Sequence, residues 1–205
     1  MVSFFVPWSD TGTAHLIPIA LGIAIVGAVE ASGRSVGLKW PNDVVVRQSA
    51  PDDGELEGAL VGKKVGGMLS SSVMTNNAFR GVVAGLGCNT SWPPPGFEEL
   101  PDAAALDHLP GPAVDREALA FELIFAMDRA VNAIHDRGAA YVLDRYRNRC
   151  VTLGQTVSIQ QGDEVIVGRA TDIDASGALL VEVDGRQRRI DVGDVAHLRP
   201  TDPTN

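Results

Sequence analysis

The sequence predicts an α+β protein, in which a mixed, largely antiparallel sheet with helices on one face is followed by a small β-barrel. Three observations support this. Short β-branched and aromatic runs separated by turn residues fill much of residues 1–91. Two longer segments carry apolar residues at helical spacing. After Cys150 the pattern changes to short strands and turns, at a spacing expected of a barrel. We expect two domains, residues 1–150 and 151–201.

The first half of the chain is predicted to contain five strands and one helix. A strand begins almost at Met1, and Thr13 can cap a helix that ends at Gly33. The polar residues 48–58 are typical of a hairpin loop, and an Asn pair at 76–77 suits a turn. The strands are expected at Val2–Val6, Val36–Trp40, Val44–Arg47, Lys64–Val73 and Arg80–Leu86.

The second half is predicted to begin with an irregular crossing, because residues 91–112 hold six of the twelve prolines. Asp115 begins a long amphipathic helix that Gly138 closes, and a second helix runs from Ala139 to Arg149. The strands that follow are separated by turns at residues 161–163, 175–177 and 184–185.

Composition excludes several classes of protein. A net charge of -9 argues against broad electrostatic binding of nucleic acid, which needs a concentrated Lys/Arg surface. The apolar stretch Leu16–Val29 contains Pro18 and is shorter than the ~20 residues of a membrane span. Cys88 and Cys150 fit no metal-ligand spacing, and Cys88 is expected to be a small buried residue rather than a nucleophile. We therefore expect a protein of the reducing cytoplasm, without nucleic acid or membrane partners.

The segment Lys-Trp-Pro-Asn-Asp at 39–43 is the first candidate for chemistry. It offers a cation for phosphate, an amide for a ligand and a carboxylate for Mg²⁺. The same residues also suit a plain turn that ends a strand.

Two glycine-rich segments are the next candidates. Lys64 precedes Gly66 and Gly67 in a predicted strand, where glycine often marks the close approach of a ligand to the backbone. A surface hairpin with a glycine bulge is an equal alternative. Gly85-Leu-Gly-Cys-Asn89 ends another strand, and its Asn could offer an amide to a ligand, although a tight turn explains it equally.

Taken in order, the motifs Lys-Trp-Pro-Asn-Asp, Lys-x-Gly-Gly-x-Leu and Gly-x-Gly-x-Asn resemble those of biotin protein ligases. The resemblance covers nearly the whole chain, because the family continues with paired helices and a C-terminal barrel that closes on Leu-Arg, here Leu198-Arg199. It implies a class II synthetase-like catalytic domain over residues 1–150 and an SH3-like barrel over 151–201.

The resemblance also implies an ATP-dependent biotin–[acetyl-CoA-carboxylase] ligase. Such enzymes join biotin to ATP, which gives biotinyl-5′-AMP and pyrophosphate, and then biotinylate a lysine of a biotin carboxyl carrier protein domain. The first step brings a carboxylate against a phosphate, so the site must supply cations, here Lys64 and Mg²⁺. Lys64 is the implied catalytic residue, and Asp43 is the implied Mg²⁺ ligand. The implied biotin site is Lys64, Gly67, Leu69 and Gly85. The implied ATP site is Lys39, Asn42, Asp43, Asn89 and Arg199.

One motif of the family does not occur in the 205 residues, namely a Gly-Arg-Gly-Arg-x-Gly-Arg loop that precedes the first strand. That loop folds over biotin and the adenylate, so we expect weak or absent biotin-dependent release of pyrophosphate from this chain. A longer reading frame, a degenerate paralogue and a partner that supplies the loop are three explanations. Two alternative functions stay open, a lipoate-ligase-like enzyme and an inactive module that docks a carrier domain. A homodimer is a further expectation.

Overall fold

The computed structural model describes residues 1–48, 59–91, 100–191 and 194–197, and these form two antiparallel sheets and two long helices. The first sheet contains β1 (Val2–Pro7), β2 (Val36–Lys39), β3 (Asp43–Val46), β4 (Lys64–Thr75) and β5 (Ala78–Cys88). The second contains β6 (Thr156–Gln161), β7 (Glu164–Ile173), β8 (Leu179–Val183), β9 (Arg186–Ile190) and β10 (Asp194–His197). The helices are α1 (Leu16–Glu30) and α2 (Arg116–Arg147), with a short 3-10 turn at Leu106–His108.

The strand order of the first sheet is β1-β5-β4-β3-β2, and all its strand pairs are antiparallel. We predicted a mixed sheet, but within the described residues parallel pairing is limited to two isolated bridges, Leu38 with Cys150 and Lys64 with Ala103. The five predicted strands are all present, with ends that differ by at most two residues. Short turns join β2 to β3 and β4 to β5, which requires these two pairs to be antiparallel.

The turn between β4 and β5 falls at the predicted Asn pair. Asn76 and Asn77 have φ values of 50° and 60°, a left-handed conformation that Asn tolerates better than most residues. The prediction of a hairpin here is confirmed.

Helix α1 lies against one face of the first sheet and is buried on almost all sides. Gly22 permits this close packing, because a Cβ there would lie 3.1 Å from Leu38 in β2 and 2.9 Å from Met68 in β4. The prediction of Thr13 as the helix cap is wrong. The N-cap is His15, which makes no side-chain cap bond, and the Thr13 hydroxyl instead accepts a hydrogen bond from the Trp8 indole.

Helix α2 packs on α1 and begins as predicted, since the Asp115 carboxylate accepts the backbone N–H of residues 117 and 118. Gly138 has φ 79° and ψ 172°, which interrupts the helical backbone at the predicted break between two helices. Residues 100–112 are irregular apart from the 3-10 turn, as predicted. The predictions for residues 49–58 and 92–99 lie outside the described residues.

The second sheet has the order β10-β6-β7-β8-β9 and is antiparallel throughout. Its turns fall where they were predicted. Strands β9 and β10 form its two edges and are not paired with each other within the described residues, so the expected small barrel is an open sheet there. In the part of the chain that is described, no helix combines the length and apolarity needed to cross a membrane.

The two sheets are joined through a few specific contacts. The Trp40 backbone N–H donates to the Thr152 hydroxyl at 3.0 Å, and its indole N–H donates to the Gly177 carbonyl at 3.0 Å. The Arg147 guanidinium at the end of α2 donates to Asp172 at 2.7 Å. The second sheet therefore contacts the turn that follows β2.

Candidate functional site

The sequence motifs meet in one row across the first sheet. Lys39 pairs with Asp43, Asp43 pairs with Gly67, and Gly67 pairs with Gly87. Residues in cross-strand register lie side by side, with Cβ atoms ~5 Å apart. Three segments whose row positions lie twenty or more residues apart thus contribute neighbouring positions to one site.

The row lies on the sheet face opposite α1. Leu38, Met68 and Leu86 alternate with the row residues along their strands and are buried on the helix side. On the other face Leu69 is 76% exposed, next to Gly85 in the adjacent strand. We call this the open face, and its exposed apolar residues are Phe5, Leu69 and Val83.

Lys64 and Asp43 form an ion pair at one end of the open face. The Lys64 Nζ lies 2.5 Å from the Asp43 Oδ1, and the two side chains are 50% and 25% exposed. A register shift between Val44 and Val45 brings Lys64 opposite Val45. The lysine head group is therefore fixed by a carboxylate and is still accessible to a ligand.

The absence of a side chain at Gly67 leaves room for the ion pair between Lys64 and Asp43. A Cβ at Gly67 would lie 3.2 Å from the Lys64 Cε, 3.2 Å from the Asp43 Oδ1 and 3.1 Å from the Asn42 carbonyl oxygen. A side chain there would press on both members of the ion pair.

Gly85 and Gly87 keep a neighbouring part of the open face bare. A Cβ at Gly85 would meet nothing closer than the Ser3 Oγ at 3.6 Å, and a Cβ at Gly87 would meet nothing within 4 Å. Packing within the chain therefore does not require glycine at either position. Both glycines weaken the strand, by ~0.5–1 kcal/mol each. A planar or ring-shaped ligand could lie directly on this backbone.

Two hydrogen bonds fix the backbone of the turn between β2 and β3. The Tyr146 hydroxyl in α2 donates to the Pro41 carbonyl at 3.3 Å, and burial raises the pKa of Tyr146 well above its usual range. The Met68 backbone N–H donates to the Asn42 carbonyl at 2.9 Å. Asn42 is thus fixed by its backbone, with a half-buried side chain at the end of the row.

Asn89 makes two hydrogen bonds to the segment of residues 104–106. Its side-chain N–H donates to the Ala104 carbonyl at 3.1 Å, and its backbone carbonyl accepts the Leu106 N–H at 2.8 Å. The amide that we expected to face a ligand holds residues 104–106 against the end of β5. Arg199 lies outside the described residues.

Residues 102–104 also border the site, and no sequence motif indicated this. The Lys64 N–H donates to the Asp102 carbonyl, and the Ala104 N–H donates to the Lys64 carbonyl, each at 2.8 Å. Gly87 is a second omission, although alternation along β5 places it on the same face as Gly85. A period-two pattern was the signal that could have identified it.

The described residues contain no cluster of three or more His, Cys, Asp or Glu side chains that could bind a metal. Asp43 alone could contribute to a Mg²⁺ site in which substrate phosphates supply other ligands. Burial raises the pKa of Cys88 to about 11, so its thiol is protonated near neutral pH and is a poor nucleophile.

Comparison with known proteins finds similar sequences. The model of the biotin protein ligase C-terminal domain matches residues 152–198. The biotin–[acetyl-CoA-carboxylase] ligase of Mycobacterium tuberculosis is 32% identical over 189 residues, which are 89% of this chain and 62% of that protein. The bifunctional ligase/repressor BirA of Bacillus subtilis is 24% identical over 185 residues, which are 89% of this chain and 53% of that protein.

A similar fold is known from crystal structures. The biotin protein ligase from Aquifex aeolicus matches with a TM-score of 0.75 at 19% sequence identity, over 96% of this chain and 81% of that chain. The two antiparallel sheets and their helices are therefore those of a biotin ligase fold. The chain is similar to biotin protein ligases in sequence and in fold. It spans 62% and 53% of the two curated relatives named above.

Proposed function

We propose that this chain forms the core of a biotin protein ligase. In the proposed reaction, ATP and biotin give biotinyl-5′-AMP and pyrophosphate, and the biotinyl group then passes to a lysine of a biotin carboxyl carrier protein domain. The observation that carries the proposal is the row Lys39, Asp43, Gly67 and Gly87, with Lys64 at its edge. The M. tuberculosis relative supports it by its name, biotin–[acetyl-CoA-carboxylase] ligase.

The open face suits biotin in shape and polarity. The bare backbone at Gly85 and Gly87 offers a flat surface for the fused rings, and Leu69 offers an apolar side chain beside them. The carboxylate at the end of biotin's chain then requires a cation, which Lys64 supplies. We assign Lys64, Gly67, Leu69 and Gly85 to the biotin site, and we add Gly87.

The activation step requires positive charge where two anions meet. The biotin carboxylate attacks the α-phosphorus of ATP, the bond to the leaving pyrophosphate breaks, and charge builds on the phosphoryl oxygens. Lys64 stabilises that charge from its position beside Asp43. Lys39 lies in the same row, at a position suited to the triphosphate. The two lysines are therefore assigned separate anions.

We assign the nucleotide side to the turn between β2 and β3 and to the end of β5. Lys39, Asn42 and Asp43 would contact ATP, and Asp43 would hold Mg²⁺, which neutralises phosphate charge when bound. Asn89 is retained as a residue that shapes this side through Ala104 rather than through a free amide. Arg199 is assigned to the nucleotide on its motif position.

The finer architecture and the partners are also proposals. Residues 1–150 would form the class II synthetase-like catalytic domain, and 151–201 would form an SH3-like barrel. A match of residues 152–198 to a C-terminal domain model of this family supports that boundary. The carrier domain would present its lysine at the open face, where Lys64 is 50% exposed. Homodimer formation is a further proposal.

The experiment that tests the function compares adjacent lysines. We expect Lys64→Met to lower biotin-dependent formation of labelled biotinyl-5′-AMP by about 100-fold or more, as for loss of a group that stabilises transition-state charge. The matched control, Lys63→Met, should keep the wild-type rate. A Lys64→Met variant as active as the wild type, or adenylate formation that needs no biotin, would refute the proposal.

A further inference from the structure

Arg34, in the loop after α1, is buried to an extent unusual for arginine. It is 4% exposed, and its guanidinium is surrounded by backbone oxygens. Its Nε donates to the Leu106 carbonyl at 2.8 Å, its Nη2 donates to the Pro112 carbonyl, and its Nη1 donates to the Ser32 carbonyl at 3.2 Å. The carboxylate of Asp107 lies 3.8 Å away. The guanidinium thus ties the end of α1 to residues 106–112.

The segment that Arg34 holds is also the one that borders the site. Leu106 offers its carbonyl to Arg34 and its N–H to the carbonyl of Asn89 at 2.8 Å. Two residues earlier, Ala104 donates its N–H to the Lys64 carbonyl. A short path of backbone hydrogen bonds therefore runs from the buried guanidinium to the backbone of Lys64.

Lys64 needs this support because it is the first residue of β4. On one side it pairs with Val45 beside a register shift, and on the other side its N–H and carbonyl bond to Asp102 and Ala104. Its side chain must then reach Asp43 while it stays open to a ligand. A displacement of ~1 Å in such a group can cost ~100-fold in rate.

We propose that Arg34 is a positioning residue, which orients Lys64 for adenylation by holding residues 102–107 against the start of β4. The inference rests on the proposed function of Lys64. Arg34 does not lie in the row and touches no substrate in this account. Its fixed fork of donors is what the three carbonyls require, and lysine cannot reproduce it.

A double-mutant cycle tests whether Arg34 acts through Lys64. Arg34→Met should lower kcat for biotinyl-5′-AMP formation about 10-fold in the wild-type background and should add no loss in the Lys64→Met background. The kcat of Arg34→Lys should lie between those of Arg34→Met and the wild type. If Arg34→Met does not fold, Arg34→Lys replaces it in the double-mutant cycle. Independent losses that multiply in the double variant would overturn the proposal.

Arg147 provides a matched control. It also anchors an element through its guanidinium, to Asp172 at 2.7 Å and to the Ile173 carbonyl, but it lies on the second sheet's side of α2. Arg147→Met should lower Tm to an extent similar to Arg34→Met. The factor by which Lys64→Met lowers kcat should stay the same in the Arg147→Met background as in the wild type. If Arg34→Met and Arg147→Met change this factor equally, Arg34 has only a structural role.

A spectroscopic measurement separates this proposal from the proposed function. The chain has three lysines, Lys39, Lys63 and Lys64, so ¹³C-dimethylation gives three lysine NMR signals besides that of the N-terminus. Arg34→Met should shift the Lys64 signal and leave the Lys39 signal in place, and Arg147→Met should shift neither. An unmoved Lys64 signal would refute the positioning role even in an active enzyme. If Arg34→Met shifts the Lys64 signal but the wild-type protein forms no biotinyl-5′-AMP, only the proposed function is refuted.

Discussion

The glycine pair of β4 and the glycine pair of β5 lie side by side in one sheet, yet they differ in what a side chain would meet. A Cβ at Gly66 would lie 2.6 Å from a backbone oxygen of Gly87, and one at Gly67 would lie 3.1 Å from the Asn42 carbonyl. Gly85 and Gly87 leave at least 3.6 Å to the nearest atom. Packing within the chain excludes a side chain at Gly66 and restricts one at Gly67, whereas it leaves room for a side chain at Gly85 and Gly87.

The largest effect expected is the loss of activity in Lys64→Met, about 100-fold or more in adenylate formation. This variant tests whether β4, the strand with the tightly packed glycines, provides the charged group for adenylation. Thermal unfolding of Lys64→Met should stay close to that of the wild type, because an exposed ion pair contributes little to stability. A large drop in Tm would mean that the lysine is structural.

The next largest effect is on stability, in Gly66→Ala. A methyl group placed 2.6 Å from a backbone oxygen forces the strands apart, so the free energy of unfolding should fall by about 1–3 kcal/mol. Urea denaturation measures this change. If Gly66→Ala is as stable as the wild type, packing does not require glycine at this position of β4, and the contrast with β5 is lost.

Gly85→Ala and Gly87→Ala should have the opposite outcome. Because the added Cβ meets open space, the variants should be as stable as the wild type or gain up to about 1 kcal/mol from the lower entropy of the unfolded chain. The same urea measurement applies. Destabilisation comparable to that of Gly66→Ala would show that the β5 glycines are also required by packing.

The smallest effect belongs to the second sheet, at Asp174. Burial raises the pKa of this carboxyl, but hydrogen bonds from Ser176, Arg189 and the Ala178 N–H outweigh burial, and the net pKa lies well below its usual range. Asp174 therefore stabilises the fold above the unfolded pKa of about 4, and this contribution is lost as the pH falls toward the folded value.

Asp174→Asn should cost at most about 1 kcal/mol at pH 7, because the carboxyl lies near the surface. The difference from the wild type in urea denaturation should shrink as the pH falls below about 4. An equal difference at pH 7 and pH 3 would contradict this. Adenylation is the control, since Asp174 lies in the second sheet and the variant should leave the rate unchanged.

Much of the fold could be predicted from local patterns. The β4–β5 hairpin followed from an Asn pair between two apolar runs, and the break in α2 followed from Gly138. The Thr13 cap failed because a tertiary partner, Trp8, takes its hydroxyl. Closure of the second sheet into a barrel stays a proposal, because the sheet is open in the described residues and turn spacing indicates strands without fixing whether the edge strands pair.

The candidate site was predictable in its residues and not in its geometry. Three motifs indicated lysines, glycines and an Asn-Asp pair, but cross-strand register depends on a shift between Val44 and Val45 that no pattern marks. The use of the Asn89 amide depends on residues 102–107, whose irregular backbone gives no periodic signal. Arg34 was not singled out, because burial of an arginine is set by distant contacts.

We propose that the bare surface at Gly85 and Gly87 binds biotin. Titration calorimetry of biotin with the wild type, Gly87→Ala and Gly87→Val tests it most directly, with Ser71→Val as the control on the same face. The account predicts that Gly87→Val retains its Tm and binds biotin at least about 10-fold more weakly, that Gly87→Ala is intermediate, and that Ser71→Val binds like the wild type. Unchanged biotin affinity in a folded Gly87→Val variant would contradict it.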